Sequence, residues 1–268
     1  GLLRKKQLKL LKINDSTFTA NTIKTTDTIG FGVVSYDRQN KTNNIFGNYK
    51  YSLFKNGTLN FELIFDSFTF SEKPFQKKYI DNEYYVLKRS RIVKLFGDKN
   101  NSLSFVKGTN EGLIIKQGDK HNITVKLSDY DNNNTYINLK IVGDSTNFKY
   151  DKQAELPFNK LIDFNKKYNF SYNGHKLIIE KNTFDRKSKI LHKYYNDTLF
   201  AYNPFLIAWK NFEIKYPTDG LNDGQYLARI NYDGSKNFVT NSIKDGYYQF
   251  KTKTTGKFFI DIDSLPPT

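Results

Sequence analysis

The sequence predicts an all-β chain: two tandem antiparallel β-sandwich domains, with a long crossing loop in the first. Three observations lead there. Aromatic residues fill 16% of the 268 positions, with 23 Phe and 19 Tyr, and Asn, Thr and Ile are frequent where Ala is scarce, a mix that suits strands and turns better than helices. Apolar and polar residues alternate at period two in segment after segment. These segments recur roughly every 8 to 12 residues, punctuated by Gly and Asn and without a helical period between them, which favours sandwiches over a parallel α/β sheet.

Residues 1–25, "GLLRKKQLKLLKINDSTFTANTIKT", open as a basic apolar stretch, a short helix or an edge strand, and then turn polar; they read as a lead-in. From "DTIGFGVVSYDRQ" onward Ile29, Phe31 and Val33 share one face of a strand, and Gly30 and Gly32 leave room for another backbone to come close. In "NYKYSLFKNGTLNFELIFDSF" two alternating runs, Tyr49-Tyr51-Leu53 and Leu59-Phe61-Leu63-Phe65, flank Asn56-Gly57. That dipeptide suits the two positive φ angles of a type I′ hairpin turn. "SEKPFQKKYIDNEYYVLKRSRIVKLFGD" loses the rhythm after Pro74 and reads as the crossing loop, with a turn of helix in it. Strands resume at "SLSFV", "GLIIK", "NITVKLSDY" and "TYINLKIVG", broken by Gly112 and Gly118.

After Gly143 a polar link leads to "YNFSYNGHKLIIEKNTF", "FLIAWKNFEIKYP", "QYLARINYDGSKNFVTNSI" and "GYYQFKTKTTGKFFIDID", where Asn173-Gly174 and Asp233-Gly234 mark further hairpins. The expected domains are therefore 26–145 and 146–262. Residues 263–268, with two prolines, read as a linker toward a further domain.

The formal charge is +15, from 42 Lys and Arg against 27 Asp and Glu. The excess is almost all lysine, scattered singly rather than set in a basic stripe with interleaved aromatics, so a solvated surface is expected and nucleic acid is not. The chain has no Cys and hence neither disulfides nor a thiolate metal site. It has no Met either, which reads as a processed or excised piece of a longer chain, so the missing signal peptide says nothing about compartment. No run reaches the roughly 20 apolar residues of a membrane helix, and the chain is not expected to span one.

Chemistry-bearing patterns are few. "LSDYDNNNTY" places Asp129, Asp131 and Asn133 at alternate positions, the first half of an oxygen-rich calcium loop, but its sixth position is Asn134 rather than Gly and its twelfth is Lys140 rather than Glu. Lying between two alternating segments, it reads first as a hairpin turn, with calcium as the alternative. His121, His175 and His192 form no H-x-H or H-E-x-x-H pair and read as surface or turn histidines. Asp261 and Asp263 share a strand face but look like a strand end. No G-x-S-x-G elbow or phosphate loop is present, and Trp209, among Leu206, Ile207, Phe212 and Ile214, reads as core rather than as a sugar platform. The candidate binding surface is the irregular segment from Pro74 to Lys94, with Phe75, Tyr79, Tyr84, Tyr85, Lys88, Arg89 and Arg91.

The run "IGFGVVSYDRQNKTNNIFGNYKYSLFKNGTLNFELIFDSFTFSE", with "YIDNEYY", "LFGDKNNSLSFV" and "GLIIKQGDKHNITVKLSDYDNN" after it, resembles the β-rich region downstream of the catalytic domain in lysostaphin-like zinc metallopeptidases of Bacteroidetes, peptidase family M twenty-three. There an I-G-F-G-x-x-x-Y-D strand precedes an N-x-x-G-x-Y hairpin, an aspartate-tyrosine stretch and a D-x-x-G-N turn. Here Asn132 stands where that turn has Gly. "TTGKFFIDIDSLPPT" resembles the passage to another immunoglobulin-like domain, and immunoglobulin-like sandwiches are what the resemblance implies. The family's zinc ligands, an H-x-x-x-D pair and an H-x-H pair, have no match around His121, His175 or His192. The resemblance thus implies a chain without enzymatic activity or cofactor of its own, zinc being expected only in a separate peptidase domain. The implied role is a non-catalytic accessory or scaffold region of an envelope-associated peptidoglycan metallopeptidase, positioning the enzyme or docking it to an envelope protein. The alternatives are a carbohydrate- or peptidoglycan-binding module and a stand-alone scaffold paralogue without the peptidase. In each case the expected location is the bacterial cell envelope: periplasm, outer membrane or cell surface.

Overall fold

Asn56 and Gly57 take φ of 51° and 82° and close the hairpin Lys50–Lys55/Thr58–Ile64, the pair of positive angles whose twist matches the strands it joins. Around this hairpin the first of two compact units is built, Leu3–Gln153, followed by Ala154–Thr268. The computed structural model describes residues 5–38, 45–66, 69, 72, 77–97, 103–108, 111–144, 157–184, 186–220 and 224–263. Among them β-strands dominate, in several sheets of which none closes on itself, and there is one α-helix.

In the first unit the main sheet runs in the order Leu11–Asn14, Thr17–Thr19, Asn134–Val142, Lys120–Ser128, Lys50–Lys55, Thr58–Ile64 and Val106–Lys107. The lead-in therefore supplies strands of its own. Thr17–Thr19 and Ile23–Lys24 lie parallel to Asn134–Val142, where an all-antiparallel sheet was expected; more than a hundred residues of intervening chain make that parallel neighbour possible. One sheet face buries Tyr51, Leu53, Phe61, Leu63, Ile123, Val125, Leu127, Ile137, Leu139 and Ile141 in a single cluster, and Tyr79, Leu95, Phe105, Leu113 and Ile115 pack into it.

The continuous strand expected after Asp27 is split in two. Thr28–Ile29 pairs with Leu113–Ile114, whereas Gly32–Val33 pairs with Val93–Lys94. The glycines admit side chains rather than backbone: a Cβ on Gly30 would lie 2.4 Å from Phe96, and one on Gly32 would lie 2.4 Å from Ile92. Of the described residues of "SLSFV", 103–106, Val106 alone is in a strand, Val106–Lys107, and "GLIIK" yields only Leu113–Ile114.

The second unit has two antiparallel sheets. One orders Lys160–Ile162, Ser188–Tyr195, Thr198–Tyr202, Gly256–Ile262, Gln225–Ile230 and Lys236–Thr240; the other orders Tyr168–Tyr172, His175–Ile179, Phe212–Pro217, Tyr247–Thr252 and Ile243–Lys244. The chain visits them alternately, so hairpins form locally while each sheet assembles from distant segments. Inward side chains of both meet in one core: Ile162, Ile190, Leu199, Ala201, Leu227 and Phe258 from the six-stranded sheet, Leu177, Ile179, Phe212, Ile214, Tyr216 and Tyr248 from the five-stranded one. Two side chains of opposed sheets that bury their apolar area together gain the largest favourable term in folding, and here that term welds the layers. The hairpin at Asn173-Gly174 (φ 46° and 78°) matches the dipeptide signal, and Asn196-Asp197 (46° and 52°) and Asp245-Gly246 (51° and 73°) make the same kind of turn. Trp209 is half-buried outside any strand, its backbone N–H donating to Thr183 O at 2.8 Å, and the strand expected around it starts only at Phe212.

Candidate binding face

The acidic run at 129–133 closes the antiparallel pair Lys120–Ser128/Asn134–Val142. Both Asp129 carboxylate oxygens are occupied by Asn133, Oδ1 accepting its backbone N–H at 2.8 Å and Oδ2 its side-chain amide at 2.7 Å. These bonds to the ionised form hold the Asp129 carboxyl below the usual carboxylate range. Asn132 sits at φ 64°, the left-handed position that Asn tolerates better than most residues. Asp131 and Asn133 flank it on the turn, and among the described residues no group of three or more His, Cys, Asp or Glu gathers to hold a metal ion.

The segment read as a crossing loop is more regular than expected. A single 3₁₀ turn at Lys77–Tyr79 leads into the helix Asn82–Lys88. Asp81 caps it, Oδ1 accepting from Tyr84 N–H at 2.9 Å, and Arg89 ends it in the left-handed conformation at φ 55°. Lys5 ties the cap down through Asp81 at 3.2 Å and Glu83 at 2.5 Å, both carboxylates being buried. Tyr79, placed among the surface candidates, is instead 2% exposed and packs its ring on Phe61 at 5.8 Å; its aromatic area is worth more in the core than at a rim. Tyr84 and Tyr85 are half-buried, with Arg91 over the Tyr85 ring at 5.6 Å. Lys88, Arg89 and Arg91 are exposed, and Phe75 and Pro74 lie outside the described residues.

The histidines depart furthest from expectation. His121 is near the surface, beside Asn56 at 3.2 Å and Asp119 at 3.5 Å. His175 and His192 are each 3% exposed and point into the core of the second unit. His175 stacks on Tyr194 at 4.0 Å and meets Tyr216 edge-on at 4.4 Å; His192 lies against Phe170 at 5.5 Å. Both Nε2 atoms are buried without a hydrogen-bond partner. Burial, with Lys160 and His175 adding repulsion, lowers His192 to about 4, and burial lowers His175 as well. The parity of "HKLII" and "KILHKYY" already carried this signal, because each histidine shares its strand face with residues of the core.

What sequence reasoning missed is the outer face of the six-stranded sheet. Register places Lys193, Phe200 and Lys257 directly opposite one another on adjacent strands, and Phe259, Ala228 and Phe238 likewise. Tyr195 and Phe238 are 61% and 62% exposed, and Phe200, Tyr226 and Phe259 are half-buried. Tyr226 stands 5.3 Å from Phe238 and donates its hydroxyl to Asp261 Oδ2 at 2.8 Å, and Lys236 pairs with the same oxygen. The hydrogen bond to Asp261 raises the Tyr226 hydroxyl, and the bonds from Lys236 and Tyr226 lower Asp261 in return. Burial pushes Tyr202, which borders Lys257, up to about 12. The face thus combines apolar ring area with fixed charge.

Comparison with family models, with curated proteins and with solved structures finds no match for this chain. No helix among the described residues is long and apolar enough to cross a membrane.

Proposed function

We propose that this chain is a non-catalytic binding region of tandem immunoglobulin-like β-sandwiches, accessory to an envelope-associated peptidoglycan peptidase, and that it engages glycan polymer through the outer face of the six-stranded sheet. The observation that carries the reading is the set of rings on that face: Tyr195, Phe200, Phe259, Tyr226 and Phe238, one on each of five neighbouring strands. Flat rings present area to the C–H faces of sugars, while Lys193, Lys257 and Asp261 supply polar anchors. The link to a peptidase comes from the sequence resemblance. In support of this reading over docking by the helical segment, Tyr79 is buried and Tyr84 and Tyr85 are half-buried, whereas the sheet face carries the exposed rings of Tyr195 and Phe238. The test is co-sedimentation of the purified chain with insoluble peptidoglycan sacculi. Retention is expected, with loss in a Tyr195→Ala/Phe238→Ala double variant that keeps its thermal midpoint; a chain that stays in the supernatant sinks the proposal.

A further inference from the structure

We infer that Lys193 and Lys257, with the Phe200 ring between them, form a site for the carboxylates of an acidic polysaccharide. The inference rests on the binding-region reading and adds the class of ligand. Lys193 Nζ lies 5.0 Å from the Phe200 centroid and 5.3 Å from that of Tyr195; Lys257 Nζ lies 5.8 Å from Phe200 and 5.6 Å from Tyr202. Two ammonium groups are therefore held over a single aromatic floor.

Neither ammonium has an acidic partner among the described residues, although pairs elsewhere on the sheet do: Lys236 is taken by Asp261, which also holds Tyr226. The floor beneath them is apolar, so a carboxylate arriving there meets two cations in a medium less polarisable than bulk water, where their attraction is stronger. The two lysines sit on strands two apart, which spaces their stems by about 10 Å, close to the repeat of an extended disaccharide. One uronic acid per disaccharide would offer a carboxylate to each lysine, while the intervening sugar would lie on Phe200. The net charge of +15 favours the same sign of ligand at long range.

A single-stranded nucleic acid is the less fitting polyanion. Its affinity draws on a positively charged groove that tracks successive phosphates as well as on base stacking, whereas this site sets two ammonium groups over one half-buried ring, Phe200. Carboxylates require only the ammonium groups themselves.

The test titrates the full chain, at physiological ionic strength, with polygalacturonate, with the same polymer after reduction of its carboxyl groups, and with oligo(dT). Lys193→Gln and Lys257→Gln keep the stems over the rings and remove the charge; Lys251→Gln, on the other sheet, controls for general electrostatic attraction. Binding of polygalacturonate is expected, each site variant weakening it about tenfold, as for loss of one hydrogen bond to a charged group. The control should bind as the wild type does, and the reduced polymer should not bind. If the site variants bind as the wild type does, or the reduced polymer binds equally, the lysines merely shield the rings and the carboxylate site is overturned, while the glycan-binding reading stands. Tighter, lysine-dependent binding of oligo(dT) replaces the glycan by a nucleic acid. No binding of any soluble polymer, with retention on sacculi intact, overturns the acidic ligand alone; failure of both overturns both.

Discussion

Acidification from neutral pH should destabilise the second unit through His192. His192 binds a proton with a value of about 4 in the fold, against about 6.5 in the unfolded chain. Between those values the unfolded state holds more protons, so stability is complete above about pH 6.5 and falls as pH drops toward 4. The full difference between the two values is worth about 3 kcal/mol, and roughly 2 kcal/mol of it is lost between about pH 7.5 and 5. His175, also lowered by burial, acts in the same direction. Asp261, a carboxylate of the second unit that Lys236 and Tyr226 hold below its ordinary value, withdraws its contribution only at still lower pH. Trp209 is the single tryptophan and belongs to the second unit, so its fluorescence in a urea titration reports on that unit by itself. The perturbation is His192→Phe, which keeps a ring against Phe170 and removes the titrating group; overpacking can cost about 1–3 kcal/mol at any pH, so the slope with pH is the readout rather than the stability itself. A loss of about 2 kcal/mol in the wild type, and most of that slope gone in the variant, is expected. Equal stability at both pH values in the wild type, or an unchanged slope in the variant, would refute the reasoning.

Asp81→Ala removes the helix cap and one arm of the Lys5 bridge and should cost about 1–2 kcal/mol in denaturant titration by circular dichroism. Gly30→Ala should cost about 1–3 kcal/mol, because its methyl would run into the Phe96 ring packed against that backbone; an unchanged midpoint would mean that Phe96 moves aside freely. Asn132→Ala should destabilise by about 1 kcal/mol and Asn132→Gly should not, since φ of 64° disfavours a Cβ. Millimolar calcium should leave the thermal midpoint in place, because Asn133 already fills both oxygens of Asp129; a rise of several degrees would restore the calcium reading.

What the sequence determined by itself is local. Hairpin turns are written in dipeptides, because a positive φ is a requirement on one or two residues: Asn56-Gly57 and Asn173-Gly174 were legible, and Asn196-Asp197 and Asp245-Gly246 carried the same signal unread. Period-two alternation likewise marks which strand side chains go inward, and followed strictly it reaches even His175 and His192. The tertiary structure decided whatever depends on which strands become neighbours. Tyr79 looked like a surface aromatic until the helical segment laid it on Phe61. The face at Lys193, Phe200 and Lys257 exists only because Gly256–Ile262 inserts between Thr198–Tyr202 and Gln225–Ile230. Strand order is a choice among many pairings of similar local quality, settled by how much apolar area both sheets can bury together; no short window of sequence contains that sum.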